Sequence, residues 1–267
     1  MNILYWLLGL GVVGFSARWN WWRRSKPGIP LLMYHKIGPV PKNSRLKKLW
    51  VTPEQFERQL GYLSSAGYRP VSFNLLEKHL QGRANLPLKP VIVTIDDGYE
   101  NNYTYALPLL QKFGFQATIF LVTETIGQTN LWHDPQSEER LPMLNWEQIR
   151  EMKLKGIEFG SHTLTHPNLE KCDREKIINE ITQSKKILEE NLKQKVNVFS
   201  YPYGGGAFSP EIQQIVQEAG YTFACAIRQG KAEVVAKNYY CLKRLLIRGD
   251  DNLLDFQINL FSGRSRF

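Results

Sequence analysis

Seven short apolar runs punctuate the chain, at Leu31–Tyr34, Val91–Ile95, Ala117–Val122, Ile157–Gly160, Val196–Ser200, Thr222–Ile227 and Leu242–Ile247. Each has the length of a strand and too few polar positions for a wet face, so each reads as a buried strand. Between them the spacing changes to the helical period, at Pro53–Ala66, Tyr99–Phe113, Asn145–Leu154, Asp173–Asn191 and Pro210–Ala219. The punctuation agrees. Thr52-Pro53 and Ser209-Pro210 are N-cap and first-turn pairs, and Gly67, Gly114, Gly156 and Gly220 follow helix ends. Strand–helix alternation predicts parallel strands joined by crossover helices. With about seven strands, and neither a glycine fingerprint nor a phosphate loop, the α/β pattern predicts a closed or nearly closed barrel rather than an open sheet.

The first 17 residues carry no charged side chain, and Ile3 to Phe15 is almost wholly apolar. A spanning helix needs about 20 residues, so this run predicts a short membrane anchor, extended by Trp19, Trp21 and Trp22 as an interface belt. A cleaved signal peptide would carry Lys or Arg ahead of the run, and none precedes Arg18. Residues 1–26 are therefore expected to be an anchor or signal segment, and residues 27–267 a single catalytic domain. Arg18, Arg23, Arg24 and Lys26 all follow the run, which by the positive-inside tendency would keep the domain in the cytoplasm.

Composition changes the picture in two places. A net charge of +9 points to an anionic neighbourhood, a membrane surface or an acidic polymer. No nucleic-acid partner is expected, because the basic residues are spread out apart from Lys42, Arg45, Lys47 and Lys48 in one loop and the group behind the N-terminal run. Cys172, Cys225 and Cys241 form no CxxC pair, which argues against a thiolate zinc site. The chain is expected to be a monomer.

Three segments carry chemistry. Thr94-Ile95-Asp96-Asp97-Gly98 ends a buried strand with paired carboxylates, and His162-Thr163-Leu164-Thr165-His166 sets two imidazoles four residues apart. That spacing would let one helical turn aim both at a single ion. Phe199-Ser200-Tyr201-Pro202-Tyr203-Gly204 ends a third strand. One Asp with two His leaves an open position, as catalytic rather than structural metal sites do. All sit at or just past the C-terminal ends of strands, where barrels of this kind gather their chemistry, and so does His35.

These motifs resemble those of the polysaccharide deacetylase family, the carbohydrate esterases with a NodB-homology domain, over roughly residues 29–250. The resemblance implies a distorted (β/α)₇ barrel and metal-dependent removal of N-acetyl, less often O-acetyl, groups from a sugar polymer. It implies that Asp97, His162 and His166 hold the ion and that Asp96 is the general base. The ion would be Zn²⁺, with Co²⁺, Ni²⁺ or Fe²⁺ suiting the same ligand set. It also implies an extracytoplasmic location, against the flanking charges. The backbone N–H of Tyr203, on the rigid turn at Pro202, is expected to steady the oxyanion, and Trp132, Tyr201 and Tyr203 are candidates to stack on sugar rings.

Two departures from the family stand out. The arginine that usually precedes the Pro-Tyr pair is replaced by Ser200, leaving Arg244 or Arg248 to take its place, and no histidine follows His166 to act as general acid. Met33-Tyr34-His35-Lys36-Ile37 resembles the Tyr-His element of members that deacetylate poly-β-1,6-N-acetylglucosamine, which makes His35 the expected acid. His133 competes for that role, and His79 is expected to be structural. The alternatives are an O-acetyl esterase, a deformylase acting on a lipid-linked sugar, or a sugar-binding module without catalysis.

Overall fold

In a computed structural model, residues 3–19, 24–133, 138–234 and 239–264 are described. The chain runs α1 (Ile3–Trp19), β1 (Leu31–Tyr34), β2 (Lys36–Ile37), β3 (Trp50–Val51), α2 (Pro53–Ser65), β4 (Arg69–Pro70), α3 (Phe73–Leu80) and β5 (Pro90–Ile95). It continues α4 (Leu107–Phe113), β6 (Thr118–Leu121), α5 (Trp146–Leu154), β7 (Glu158–Ser161), α6 (Arg174–Leu192), β8 (Val198–Ser200), α7 (Pro210–Glu218), β9 (Phe223–Gln229), β10 (Leu242–Leu246) and α8 (Leu253–Ser262).

All seven predicted strands form, and they close into a ring. The order is β1-β10-β9-β8-β7-β6-β5, every pairing parallel, with β1 returning to β5 at Leu31 opposite Ile92 and Tyr34 opposite Ile95. β4 adds a short edge to the start of β5. Every side chain of β1, β6, β7 and β8 is buried, as barrel strands under a coat of helices require. Inside the ring the fit is tight. A Cβ on Gly160 would lie 2.6 Å from the Phe120 ring and 2.9 Å from Val198, so β7 needs glycine there.

The predicted helices start where the caps place them. Thr52 and Gln55 exchange a full capping box ahead of Pro53, Asn145 and Gln148 do the same for α5, and Ser209 caps α7. The run at Tyr99 begins differently from the expectation. Asn102–Ala106 is a π turn before α4, and the side chain of Asn102 donates to the carbonyl of His35 at 3.3 Å.

The anchor expectation gains no support from the first helix. α1 has 17 residues, about 25 Å at 1.5 Å per residue against a hydrocarbon core of about 30 Å. Among the described residues no helix is long and apolar enough to cross a membrane. Trp21 and Trp22, the expected belt, lie outside the described residues. The three cysteines are free thiols.

Candidate metal centre

The first carboxylate pair leaves β5 through a backbone that few side chains tolerate. Asp97 and Gly98 both take positive φ, 77° and 83°, which swings the Asp97 carboxylate to the barrel mouth while Asp96 stays inside. Both side chains are almost fully buried.

The two histidines are not on a helix, contrary to the spacing argument. Thr163 and His166 have φ of 69° and 65°, values that break any helical turn. A compact loop brings the rings together instead. The Thr163 hydroxyl accepts the N–H of His166 at 3.0 Å, and the buried Glu180 carboxylate on α6 accepts the N–H groups of Leu164 (2.9 Å) and Thr165 (2.8 Å) and the Thr165 hydroxyl (2.6 Å). Glu180 escaped the sequence reading, although its place among Ile177, Ile181, Ser184 and Leu188 on one helix face marks it as an anomalous buried charge. Glu180→Ala is expected to weaken metal affinity about 10–100-fold while the fold survives, as titration of a divalent ion into apoprotein would measure.

The result is a three-donor set. Asp97 Oδ1 lies 3.4 Å from His162 Nε2 and 3.4 Å from His166 Nε2, and all three donors lie within 4.8 Å of one another. Two ligands about 2.1 Å from one tetrahedral ion stand about 3.4 Å apart, so each Asp97–His pair has the spacing such an ion asks for. The far nitrogens are engaged too. His162 Nδ1 meets the carbonyl of Ser200 at 2.7 Å, which leaves Nε2 as the lone-pair nitrogen, and His166 Nδ1 meets the Tyr203 hydroxyl at 3.2 Å. Burial alone would raise the Asp97 pKa, but hydrogen bonds to His162 and His166 hold it well below the usual carboxylate range. Burial likewise lowers His166 towards its neutral, ligating form.

Arg244 on β10 stands where the missing arginine was expected. Its fully buried guanidinium grips Asp96 with two parallel bonds, Nη1 to Oδ1 at 2.7 Å and Nη2 to Oδ2 at 2.8 Å. It also donates to Ser200 Oγ (3.0 Å), Thr94 Oγ1 (3.2 Å) and the carbonyl of Ala226 (2.9 Å). All five donors are used. Burial would raise the Asp96 pKa, and the guanidinium keeps it lowered and the carboxylate ionised. Arg248 lies on the following turn, its backbone N–H donating to Asp251.

A cavity of about 250 Å³ collects His35, Asp96, Asp97, His162, His166, Trp132, His133 and Tyr203. His35 Nδ1 is buried without a hydrogen-bond partner. Burial lowers its pKa, while the Asp97 and Asp96 carboxylates pull the other way. His133 sits beside the Tyr99 hydroxyl at 3.4 Å, and burial lowers its pKa as well. Trp132 covers the His166 ring at 4.4 Å. Tyr203 is half exposed at the mouth, whereas Tyr201 lines the cavity from a fully buried position with its hydroxyl on the carbonyl of Tyr240. Pro202 is buried in the turn beneath Tyr203 and does not line the cavity. His79 is structural, its Nδ1 3.0 Å from the carbonyl of Ala84.

Known proteins resemble this chain over most of its length. Residues 83–224 match the polysaccharide deacetylase family. YxkH of Bacillus subtilis is 30% identical over 213 residues, 79% of this chain and 69% of that protein. The poly-β-1,6-N-acetyl-D-glucosamine N-deacetylase of Staphylococcus aureus is 28% identical over 219 residues, 78% of this chain and 71% of that one. The deacetylase PplD of Streptococcus pyogenes, solved with acetate, superposes with a TM-score of 0.75 at 26% identity over 88% of this chain and 99% of its own. With its strand order, its carboxylate pair and its two histidines accounted for together, this chain belongs to the polysaccharide deacetylase family of hydrolases.

Proposed function

We propose that the protein is a metal-dependent N-deacetylase of poly-N-acetylglucosamine, of the β-1,6-linked kind. The observation that carries this reading is the opening of one cavity onto the three donors, the Asp96 carboxylate held by Arg244, and His35. The likeness to the staphylococcal enzyme supports the polymer. Asp97, His162 and His166 would hold a divalent ion, Zn²⁺ in our reading, which when bound would supply Lewis acidity and make a nearby water more acidic.

The chain's own groups do the rest. Asp96, ionised and oriented by Arg244, accepts the proton of the attacking water. The N–H of Tyr203, fixed by a turn with φ of 57°, donates to the oxygen that gains charge. His35 gives a proton to the departing nitrogen, and Trp132 and Tyr203 wall the acetyl group off from water. The one feature favouring a binding module without catalysis was the arginine absent before Pro202, and Arg244 meets it. His162→Ala or His166→Ala is expected to remove most bound metal and activity together. Metal analysis alongside acetate release from N-acetylglucosamine oligomers checks this, and full activity in either variant overturns the ligand assignment.

Location and assembly belong to the same proposal. Tyr5, Trp6, Leu7, Leu8, Leu10, Val12 and Val13 are each at least 58% exposed on α1, a surface that gains by entering a lipid interface. The protein is expected to float with phospholipid vesicles as a monomer. A chain starting at Lys26 is expected to stay behind in that flotation and to retain its acetate release; an unfolded or inactive truncation would show that the first 25 residues belong to the catalytic domain.

A further inference from the structure

We propose that the loop bearing Lys42, Arg45, Lys47 and Lys48 binds anionic substituents, carboxylate or phosphate, on the polymer whose acetyl groups the cavity removes. This rests on the deacetylase reading above. The four side chains are exposed, and the residue that follows them, Leu49, lines the cavity with Asp97 and His162. The end of the loop that carries their charge therefore reaches the edge of the cavity.

The loop is held in place. The carboxylate of Glu138, 6% exposed, accepts the Ser44 hydroxyl at 2.9 Å and the Leu46 N–H at 2.7 Å. The N–H of Gly249 donates to the carbonyl of Lys48 at 2.9 Å, and the next residues pair as β3 with β2, directly after His35. A loop whose backbone is fixed in this way costs a ligand less than ordering a mobile one.

One carboxylate, Glu138, sits within the loop against its four cations, so a net positive charge remains. Lys48 lies 3.9 Å from Asp250, both exposed, and among the described residues Lys42, Arg45 and Lys47 form no ion pair. Behind them Lys36 adds a buried ammonium with no hydrogen-bond partner, 4.9 Å from the Tyr99 ring centre and 5.4 Å from that of Trp50.

The other side of the mouth is different in kind. Tyr203, on the turn after β8, and Ile227, on β9, are 51% and 47% exposed and offer an apolar face to a sugar. A neutral polymer would use that face and leave the basic rim idle. Worse, each removed acetyl leaves an ammonium that the rim repels. A chain with anionic groups satisfies both sides. An anionic membrane on the rim would cover the entrance to the cavity, which disfavours it as the occupant.

The test uses the full, metal-loaded protein and two β-1,6-N-acetylglucosamine hexamers, one neutral and one partly O-succinylated. The wild type is expected to bind the succinylated hexamer about tenfold more tightly at low salt, with the same ratio in kcat/KM carried by KM, and to lose the preference at high salt. Replacing Lys42, Arg45, Lys47 and Lys48 together with Gln should abolish the preference and leave the neutral hexamer's kcat unchanged, while Arg45→Lys with Lys47→Arg should keep it. Equal affinity for the two hexamers in the wild type, or a preference that survives the Gln variant, overturns the proposal. So does a Gln variant whose only loss is binding to phosphatidylglycerol vesicles. If neither hexamer releases acetate but the charge-dependent affinity persists, the deacetylase reading falls and the anion-binding surface stands.

Discussion

Asp96→Asn is expected to keep its metal and lose acetate release by about 10²–10⁴-fold, the range for removing a general base. The structure adds a second effect. Arg244 is fully buried and spends two donors on the Asp96 carboxylate. An asparagine turns one of those oxygens into an NH₂ group facing another donor and strips the pair of its negative charge. Breaking a buried pair from one side costs about 3–5 kcal/mol, so the melting temperature should fall as well. The two effects separate in the double variant Asp96→Asn with Arg244→Met. Removing the unmatched cation should restore much of the stability and none of the turnover. Acetate release, metal content and thermal melting on the same preparations decide it. A near-normal rate in Asp96→Asn would sink the base assignment, and recovery of activity in the double variant would show that the loss was one of folding.

His35→Ala is expected to leave metal content intact and to cut amide hydrolysis by about 10²–10⁴-fold. An amine leaves poorly without a proton, and imidazole is the side chain suited to give one near neutrality. The His35 ring has an unpartnered Nδ1 beside the carboxylate pair. Burial holds its pKa down, which makes its cationic form the readier donor. An activated acetyl ester, whose leaving group needs little protonation, should suffer far less. Equal losses on amide and ester would make His35 a group that positions the sugar. Full activity on the amide would pass the role to His133, which sits in the same cavity.

What was legible in the chain follows from the range of each signal. Strand and helix positions depend on local periodicity, and each of the seven apolar runs became a ring strand. β4, with two partly exposed residues, and α8, beyond the last run, carried too little pattern to be read. The His-x-x-x-His spacing suggested a helix because spacing says nothing of φ, and the positive values at Thr163 and His166 flank the two residues whose N–H groups Glu180 accepts. The choice between Arg244 and Arg248 was closed to sequence for a related reason. Asp96 and Arg244 stand 148 residues apart, and no local pattern records that β10 packs back into the ring beside β1.

That long separation bears on how the chain acquires its activity. β10 is the last strand of the ring, and its arginine is the counter-charge for a carboxylate on a strand made far earlier. Until β10 docks, Asp96 has no cation to justify its burial, and β1 and β9 keep open edges. Closing the sheet and neutralising the site are then one event. A half-made chain leaves Asp96 without its counter-charge, so the base proposed here is complete only once synthesis has passed Leu246 and the final strand has been stitched in.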